Sequence, residues 1–288
     1  MTEETHPRRS ALYLPASNAK AMAKARSVEA DVIIIDLEDA VSPDAKVEAR
    51  AAAVSALAEG GYGRREVVIR VNGFDTPWGR DDLAAVAGLG ADAILVPKVD
   101  DSAAVLAYDK ALADAPPGTK LWAMIETSRS VFALEQIAAT ASQTRLSTFV
   151  LGTNDLAKAL RLRPSRERSA FLPILTLAVA AARIHGLSVL DGVCNDFSDT
   201  ERLRFECLQG VEFGLDGKTL IHPGQIAICN EVFSPGAEDL AWADEIIAAF
   251  ALPENAGKGA ISLKGRMVEL LHLDEARHLR SVANGIPA

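Results

Sequence analysis

Six apolar runs of this chain stop abruptly at polar, charge-capable side chains: VIIIDLEDAV around Asp36, VVIRVN around Arg70, AILVPKV around Lys98, LWAMIETS around Glu126, TFVLGTNDL around Asp155 and GLDGKTLIHP around Lys218. A core strand gains nothing from ending in a carboxylate or a guanidinium. Six such endings are explained together if the strands point the same way and their ends ring one pocket. That is the layout of a parallel barrel, whose chemistry sits at the carboxyl ends of its strands.

The spacing between the runs supports the same architecture. β-type runs begin near Ser10, Asp31, Glu66, Ala91, Lys120, Leu146, Ser188 and Val211. Helical stretches fall between most of them, at 19–30 (with Ser17 as N-cap), 45–59, 102–113, 130–141, 169–185 and 199–209. Eight strands alternating with helices predict parallel pairing, because each crossover needs room for a helix. The strands are mostly continuous Val, Ile and Leu, which suits burial on both faces. The expected fold class is therefore α/β, a (β/α)8 TIM barrel with a C-terminal helical lid or arm. Residues 1–233 are expected to form the catalytic barrel domain and 234–288 a lid or oligomerisation extension. In that extension the pattern predicts helices at 237–251 and 274–283 and a glycine-bearing loop, ENAGKGA, between them.

Composition narrows the function. Among 288 residues 49% are hydrophobic, enough for a core, and the net charge of −9 leaves no basic face of the kind nucleic-acid binding requires. No apolar run approaches the roughly 18 residues needed to cross a bilayer, and the N-terminus carries no signal core. Cys194, Cys207 and Cys229 show no CxxC spacing, which argues against disulfide scaffolding and structural zinc. The chain reads as cytoplasmic, with neither nucleic acid nor membrane as partner. GxSxG, GxGxxG and Walker-type loops are missing, which argues against serine-triad, dinucleotide and nucleoside triphosphate chemistry.

Glu126 and Asp155 stand at strand ends about one βα unit apart, and adjacent parallel strands lie roughly 4.8 Å apart. Two carboxylates at that separation repel unless a cation sits between them, and an all-oxygen site favours Mg²⁺ or Mn²⁺. The competing reading makes Asp155 the N-cap of LAKAL and Glu126 a helix-entry acid. Strand alternation sends Asp36 and Glu38 to one side, where they can hydrogen-bond metal-bound water, and Asp39 to the other. Arg70, sharing a face with Asn72, is suited either to stabilise a developing oxyanion or to form a buried salt bridge with Glu38 or Asp36. Lys98 reads as an ion-pair lysine rather than a Schiff base. Arg8, Arg9, Lys20 and Lys24 are candidates for a phosphate patch, Lys20 and Lys24 lying i, i+4 on one helix face. His222 is given no catalytic role.

Taken together, RSALYLPASN, DVIIIDLEDAV, VIRVN, LVPKV, MIET, GTNDLA, LDGV and GLDGKTLIHPGQI resemble the HpcH/HpaI aldolase and citrate lyase β-subunit-like family, and most closely its malyl-CoA and citramalyl-CoA lyase branch. The resemblance covers almost the whole chain in the same order. It implies a metal-dependent TIM barrel, a trimer or hexamer, that cleaves or forms a C–C bond in a 3-hydroxyacyl thioester. It further implies that Glu126 and Asp155 hold Mg²⁺, that Glu126 and Arg70 meet the substrate, and that Arg70, Asp36 and Glu38 serve catalysis. By the same likeness Arg9, Lys20 and Lys24 contact coenzyme A, which enters as part of the substrate. The lyases carry a GKMVD-type tail motif whose aspartate reaches a neighbouring subunit's site; here GRMVE places Glu269 there, adding a methylene. The leading expectation is a Mg²⁺-dependent lyase splitting malyl-CoA, citramalyl-CoA or citryl-CoA into an acyl-CoA and a 2-oxo acid. The alternatives are a malyl-CoA-type thioesterase on the same scaffold, an aldolase working on free 2-oxo acids, and a non-catalytic acyl-CoA-binding subunit.

Overall fold

The computed structural model describes residues 6–286. Its chain separates into two compact units, Arg8–Glu231 and a C-terminal unit that starts at Val232.

The first unit is a closed barrel of eight strands in sequential order. They are β1 (Ser10–Pro15), β2 (Val32–Asp36), β3 (Glu66–Arg70), β4 (Ala93–Val96), β5 (Lys120–Ile125), β6 (Leu146–Leu151), β7 (Ser188–Asp191) and β8 (Gly217–Leu220). Every neighbouring pair is parallel, and β8 returns to β1 through Ser10↔Lys218 and Ala11↔Thr219. The crossovers are helical: α1 (Ala19–Ala25), α2 (Lys46–Glu59), α3 (Gly79–Val86), α4 (Ser102–Ala111), α5 (Ser128–Ala139), α6 (Thr153–Ala159), α7 (Leu172–Ile184) and α8 (Thr200–Glu212), followed by α9 (Ile226–Val232). One parity of each strand fills the barrel, with Ala11, Ile34, Val68, Leu95, Trp122 and Val150 among the interior side chains. At the amino ends of the strands Arg8 plugs the interior. Its guanidinium forks onto Glu66 and stacks 4.9 Å over the Trp122 ring.

Three expectations are corrected here. The eighth strand does not begin near Val211, because α8 runs through Glu212. The i, i+3, i+4 burial of Leu203, Glu206, Cys207 and Gly210 outweighs the β-propensity of Val211. Gly214 (φ +80°) then ends the helix, and Leu215 N–H reaches back to the Gly210 carbonyl at 2.9 Å. The first helix is capped by Asn18 rather than Ser17, with Asn18 Oδ1 accepting from Ala21 N–H at 3.1 Å. It also stops at Ala25, where Ser27 Oγ donates to the Lys24 carbonyl at 3.0 Å and closes the last turn.

The C-terminal unit contains α10 (Ala237–Phe250), a hairpin of β9 (Ala260–Leu263) and β10 (Arg266–Glu269), and α11 (Leu270–Gly285). The hairpin was not expected from the sequence. Its two-residue turn, Lys264 (φ 51°) and Gly265 (φ 79°), has both residues left-handed, the type I′ signature that matches strand twist. Ile261 and Val268 bury against Ala243, Ile246, Leu273 and Ala276, which gives the unit its own core. The final helix starts at Leu270, four residues before the predicted 274, because β10 runs directly into it. No described helix is long and apolar enough to cross a membrane.

Candidate active site

The parity that buries apolar side chains mid-barrel carries polar ones to its carboxyl-end rim. Two residues beyond Ala11, Ile34, Val68 and Met124 come Tyr13, Asp36, Arg70 and Glu126, and two beyond Val150 comes Gly152. All five border one cavity of about 280 Å³, together with Asp155, Thr219 and the Asn154–Asn195 pair.

Arg70 is its structural hub. Nε and Nη2 fork onto the two Asp36 oxygens at 2.7 and 2.6 Å, while Nη1 lies 2.9 Å from Glu38 and 3.6 Å from Asp39. The guanidinium lies 4.7 Å over the Tyr13 ring. Asp36 also accepts from the N–H groups of Glu38 (2.9 Å) and Ala40 (3.1 Å). A buried carboxylate with four donors is saturated, so its role in this structure is to fix Arg70 and the loop that follows β2. Lys46 holds that loop from outside, giving its three ammonium protons to Leu37 O, Glu38 O and Asn72 Oδ1 at 2.7–2.8 Å. Asn72 also donates to Asp82 and thus serves the loop.

Glu126 is the most perturbed acid of the cavity. It is 2% exposed, and Oε1 accepts from the Lys98 backbone N–H at 2.8 Å. That N–H is aimed by a left-handed Lys98 (φ 49°), a conformation a non-glycine residue adopts at some cost. Burial above all, then the Glu38 charge and the Asp155 charge, push the Glu126 carboxyl up to about 8. Gly152, at the end of β6, lets the Glu126 side chain pack against bare backbone, since a Cβ there would collide with Glu126 Oε2 and Cβ. Asp155 follows in the first turn of α6. Burial also raises Glu38, partly offset by Arg70 and by Lys98, whose Nζ lies 3.1 Å away.

Glu126, whose proton is held on by burial and by neighbouring charge, and Asp155 beside it in an oxygen-rich cavity form a donor set that suits a hard divalent cation completed by water and ligand oxygens. Among the described residues no group of three or more His, Cys, Asp or Glu gathers as a metal cage. A two-carboxylate site that shares its cation with a ligand is consistent with that. The raised Glu126 value sets a pH dependence. The folded protein keeps this proton from about 4.5, the ordinary value, up to about 8, where the unfolded chain has lost it. Metal-free stability from this group is therefore present below 4.5 and declines as pH rises through that window. A cation that took Glu126 as a ligand would have to displace the same proton, so on that assignment Mn²⁺ affinity is expected to rise up to about tenfold per pH unit toward 8 and then level off. Calorimetric titrations at pH 6, 7, 8 and 9 check it; a flat profile would contradict the burial argument.

Several expected positions differ. Lys218 does not join the ring: it has the opposite parity and is fully buried outside the barrel wall against Asp191 (2.8 Å) and Glu206 (2.9 Å). Arg9 precedes β1 and so lies at the rim opposite the cavity, with Nε and Nη2 on Asp31 at 2.8 and 2.7 Å; a ligand-phosphate role there is not supported. Lys20 and Lys24 are exposed on α1 and do not border the cavity. Asp39 lies on the Arg70 side rather than the other, because strand alternation ends with β2 at Asp36. Lys98 forms an ion pair as expected, and its partner, which the sequence did not indicate, is Glu38. Glu269 closes β10, where its N–H donates to His272 Nδ1 at 3.0 Å. Tyr13 and the Asn154–Asn195 pair were missed. For Tyr13 the signal was available, since it shares the parity of Ala11.

A parallel barrel with an arginine-and-carboxylate cluster at the carboxyl ends of β2, β3, β5 and β6 defines a class of enzyme scaffold, and comparison specifies it. The model of the HpcH/HpaI aldolase/citrate lyase family matches residues 9–223. The chain belongs to this family. It is 47% identical, over 100% of its length and 99% of the other protein, to a (3S)-malyl-CoA thioesterase of Cereibacter sphaeroides. To an L-malyl-CoA/beta-methylmalyl-CoA lyase of the same species it is 35% identical, covering 98% of this chain and 96% of that one. Among solved structures, CitE of Mycobacterium tuberculosis in complex with magnesium, acetoacetate and coenzyme A superposes with a TM-score of 0.74 at 30% identity, covering 96% and 98% of the two chains.

Proposed function

We propose that this chain is a divalent-metal-dependent thioesterase acting on a 3-hydroxyacyl-CoA of the malyl-CoA type. The observation that carries this reading is the full-length 47% identity to a (3S)-malyl-CoA thioesterase, against 35% to a lyase. The thioesterase alternative thus displaces the lyase as the leading reading. GRMVE at the tail, with glutamate where the family likeness expects aspartate, agrees with a departure from lyase chemistry.

Glu126 and Asp155 are the proposed ligands of Mg²⁺, with Mn²⁺ as an alternative. When bound, the cation supplies Lewis-acid polarisation and charge neutralisation for the hydroxy-acid end of the substrate. The protein's own groups do the rest. Arg70, held flat by Asp36, borders the cavity with Nη1 beside Met124 and Asp39 of its lining, and is suited to the thioester oxygen as it gains charge in the tetrahedral intermediate. Glu38, raised by burial, does not itself border the cavity but pairs with Arg70 and Lys98 at its edge, and it is the group proposed to take the proton of the attacking water. Glu269 is the further carboxylate that the family likeness brings to the reaction, from a second copy of the chain. Lys20 and Lys24 remain candidates for outer contacts with coenzyme A.

Incubation with (3S)-malyl-CoA and Mg²⁺, with all products read by mass, tests the proposal. The expected products are free coenzyme A and malate. Acetyl-CoA and glyoxylate without free coenzyme A would return the lyase reading.

A further inference from the structure

The motifs LDGV and GLDGKTLIHP contain charges that the proposed reaction leaves unused. Asp191 and Lys218 are 0% exposed, and Arg168 and Glu206 are nearly so. These two buried cations and two buried anions form one cluster between the barrel wall and α8, and the half-buried Arg202 adds a third cation on Glu206 at 3.0 Å. Arg168 Nη1 donates to both Asp191 oxygens at 3.0 and 2.8 Å, and Lys218 Nζ lies 2.8 Å from Asp191 and 2.9 Å from Glu206. Desolvating four charges is costly, and an apolar core of the same volume is often as stable, so stability alone is a weak reason for such a cluster.

The cluster is aimed at one residue, Gly192, and so at the two peptide groups that flank it. Gly192 N–H donates to Asp191 Oδ1 at 2.8 Å and Gly192 C=O accepts from Lys218 Nζ at 2.6 Å, so both backbone groups of Gly192 are fixed by buried charges. Gly192 lies directly against Thr153: a Cβ on it would collide with Thr153 Oγ1 and Cγ2 and with the Leu151 carbonyl. Three residues on, Asn195 exchanges two hydrogen bonds with Asn154, at 3.1 and 2.7 Å. Thr153, Asn154 and Asp155 are consecutive and open α6.

We infer that Lys218 and Asp191 are positioning residues that set the placement of Asp155 for metal binding, acting through Gly192 and the Asn195–Asn154 pair. The charges hold the loop after β7 as a fixed template, and the template holds the first turn of α6. The inference rests on the assignment of Asp155 as a metal ligand.

Mn²⁺ binding to the full-length protein, followed by electron paramagnetic resonance, separates the possibilities. Lys218→Met removes one charge of the cluster at similar volume. Asn195→Ala is an exposed change that leaves the cluster intact, and it decides the matter if Lys218→Met does not fold. Each folded variant is expected to bind Mn²⁺ about 10- to 100-fold more weakly than wild type, the usual effect of disturbing groups that orient a ligand, with Asn195→Ala melting as wild type does. A purely structural role would lower the melting temperature of Lys218→Met and leave the Mn²⁺ affinity of the folded protein unchanged. Wild-type affinity in either folded variant overturns the inference. Asp155→Ala is the control: if it too binds Mn²⁺ like wild type, the ligand assignment and the inference fall together, whereas loss in Asp155→Ala alone sinks only the inference.

Discussion

Arg70→Lys is expected to lower thioester turnover by about 10²–10³-fold while leaving the protein folded, the effect seen when a preorganised oxyanion donor is removed. The positive charge survives the substitution, but the geometry does not. Arg70 reaches Asp36 through two nitrogens, Glu38 through a third and the Tyr13 ring through its face. A lysine ammonium is a point donor that cannot fork across both Asp36 oxygens or stack flat on Tyr13. It would settle on Asp36, leaving Glu38 with Lys98 as its remaining cation and the thioester oxygen without a fixed donor. Steady-state kinetics with far-UV circular dichroism check this. A fall in kcat with KM little changed is the expected pattern, because the interaction strengthens as the oxyanion forms. Near-native kcat would remove Arg70 from the reaction.

Glu126→Gln is expected to have the larger effect, about 10³-fold or more in turnover, since metal-based stabilisation contributes several kcal/mol and each 1.4 kcal/mol is a factor of ten. The substitution is close to isosteric, and the amide oxygen can still accept from the Lys98 N–H. The metal-free variant should therefore be at least as stable as wild type above pH 8, because it no longer carries a buried carboxylate repelled by Glu38 and Asp155. Activity lost while thermal stability is kept or raised marks a functional carboxylate. Parallel losses of both would instead mean that Glu126 is structural. Thermal melts of the metal-free proteins at pH 7 and 9, paired with turnover assays, distinguish the two.

The barrel was legible because continuous Val, Ile and Leu runs separated by helix-length gaps leave few alternatives to parallel pairing. Glu126, Asp36 and Arg70 were legible because a charge that ends a buried run needs a reason. What strand ends alone do not give is parity. Lys218 ends its run as Arg70 does, yet the register Asp191↔Lys218 places it on the outer face, with Leu190↔Gly217 inward. Reading the eighth strand from Val211 hid that register, and the true start follows from Gly214, whose positive φ ends α8. Arg9 was misplaced for a related reason: it comes before its strand, and in a parallel barrel the two ends of a strand lie on opposite faces. Asp39 shows the limit of alternation, which stops where β2 stops. The Lys264–Gly265 turn was present in the sequence, but strands of four residues gave too short a pattern beside it. The cluster around Asp191 could not be read at all, because Arg168 and Glu206 reach it from segments far apart in the chain.

Anomalous diffraction from crystals grown with Mn²⁺ is the most direct test of the central claim. The account predicts one strong peak in the cavity, about 2.1–2.2 Å from carboxylate oxygens of both Glu126 and Asp155, with the Arg70–Asp36 fork intact beside it. A peak held by other residues, or by one of the two carboxylates alone, would contradict it.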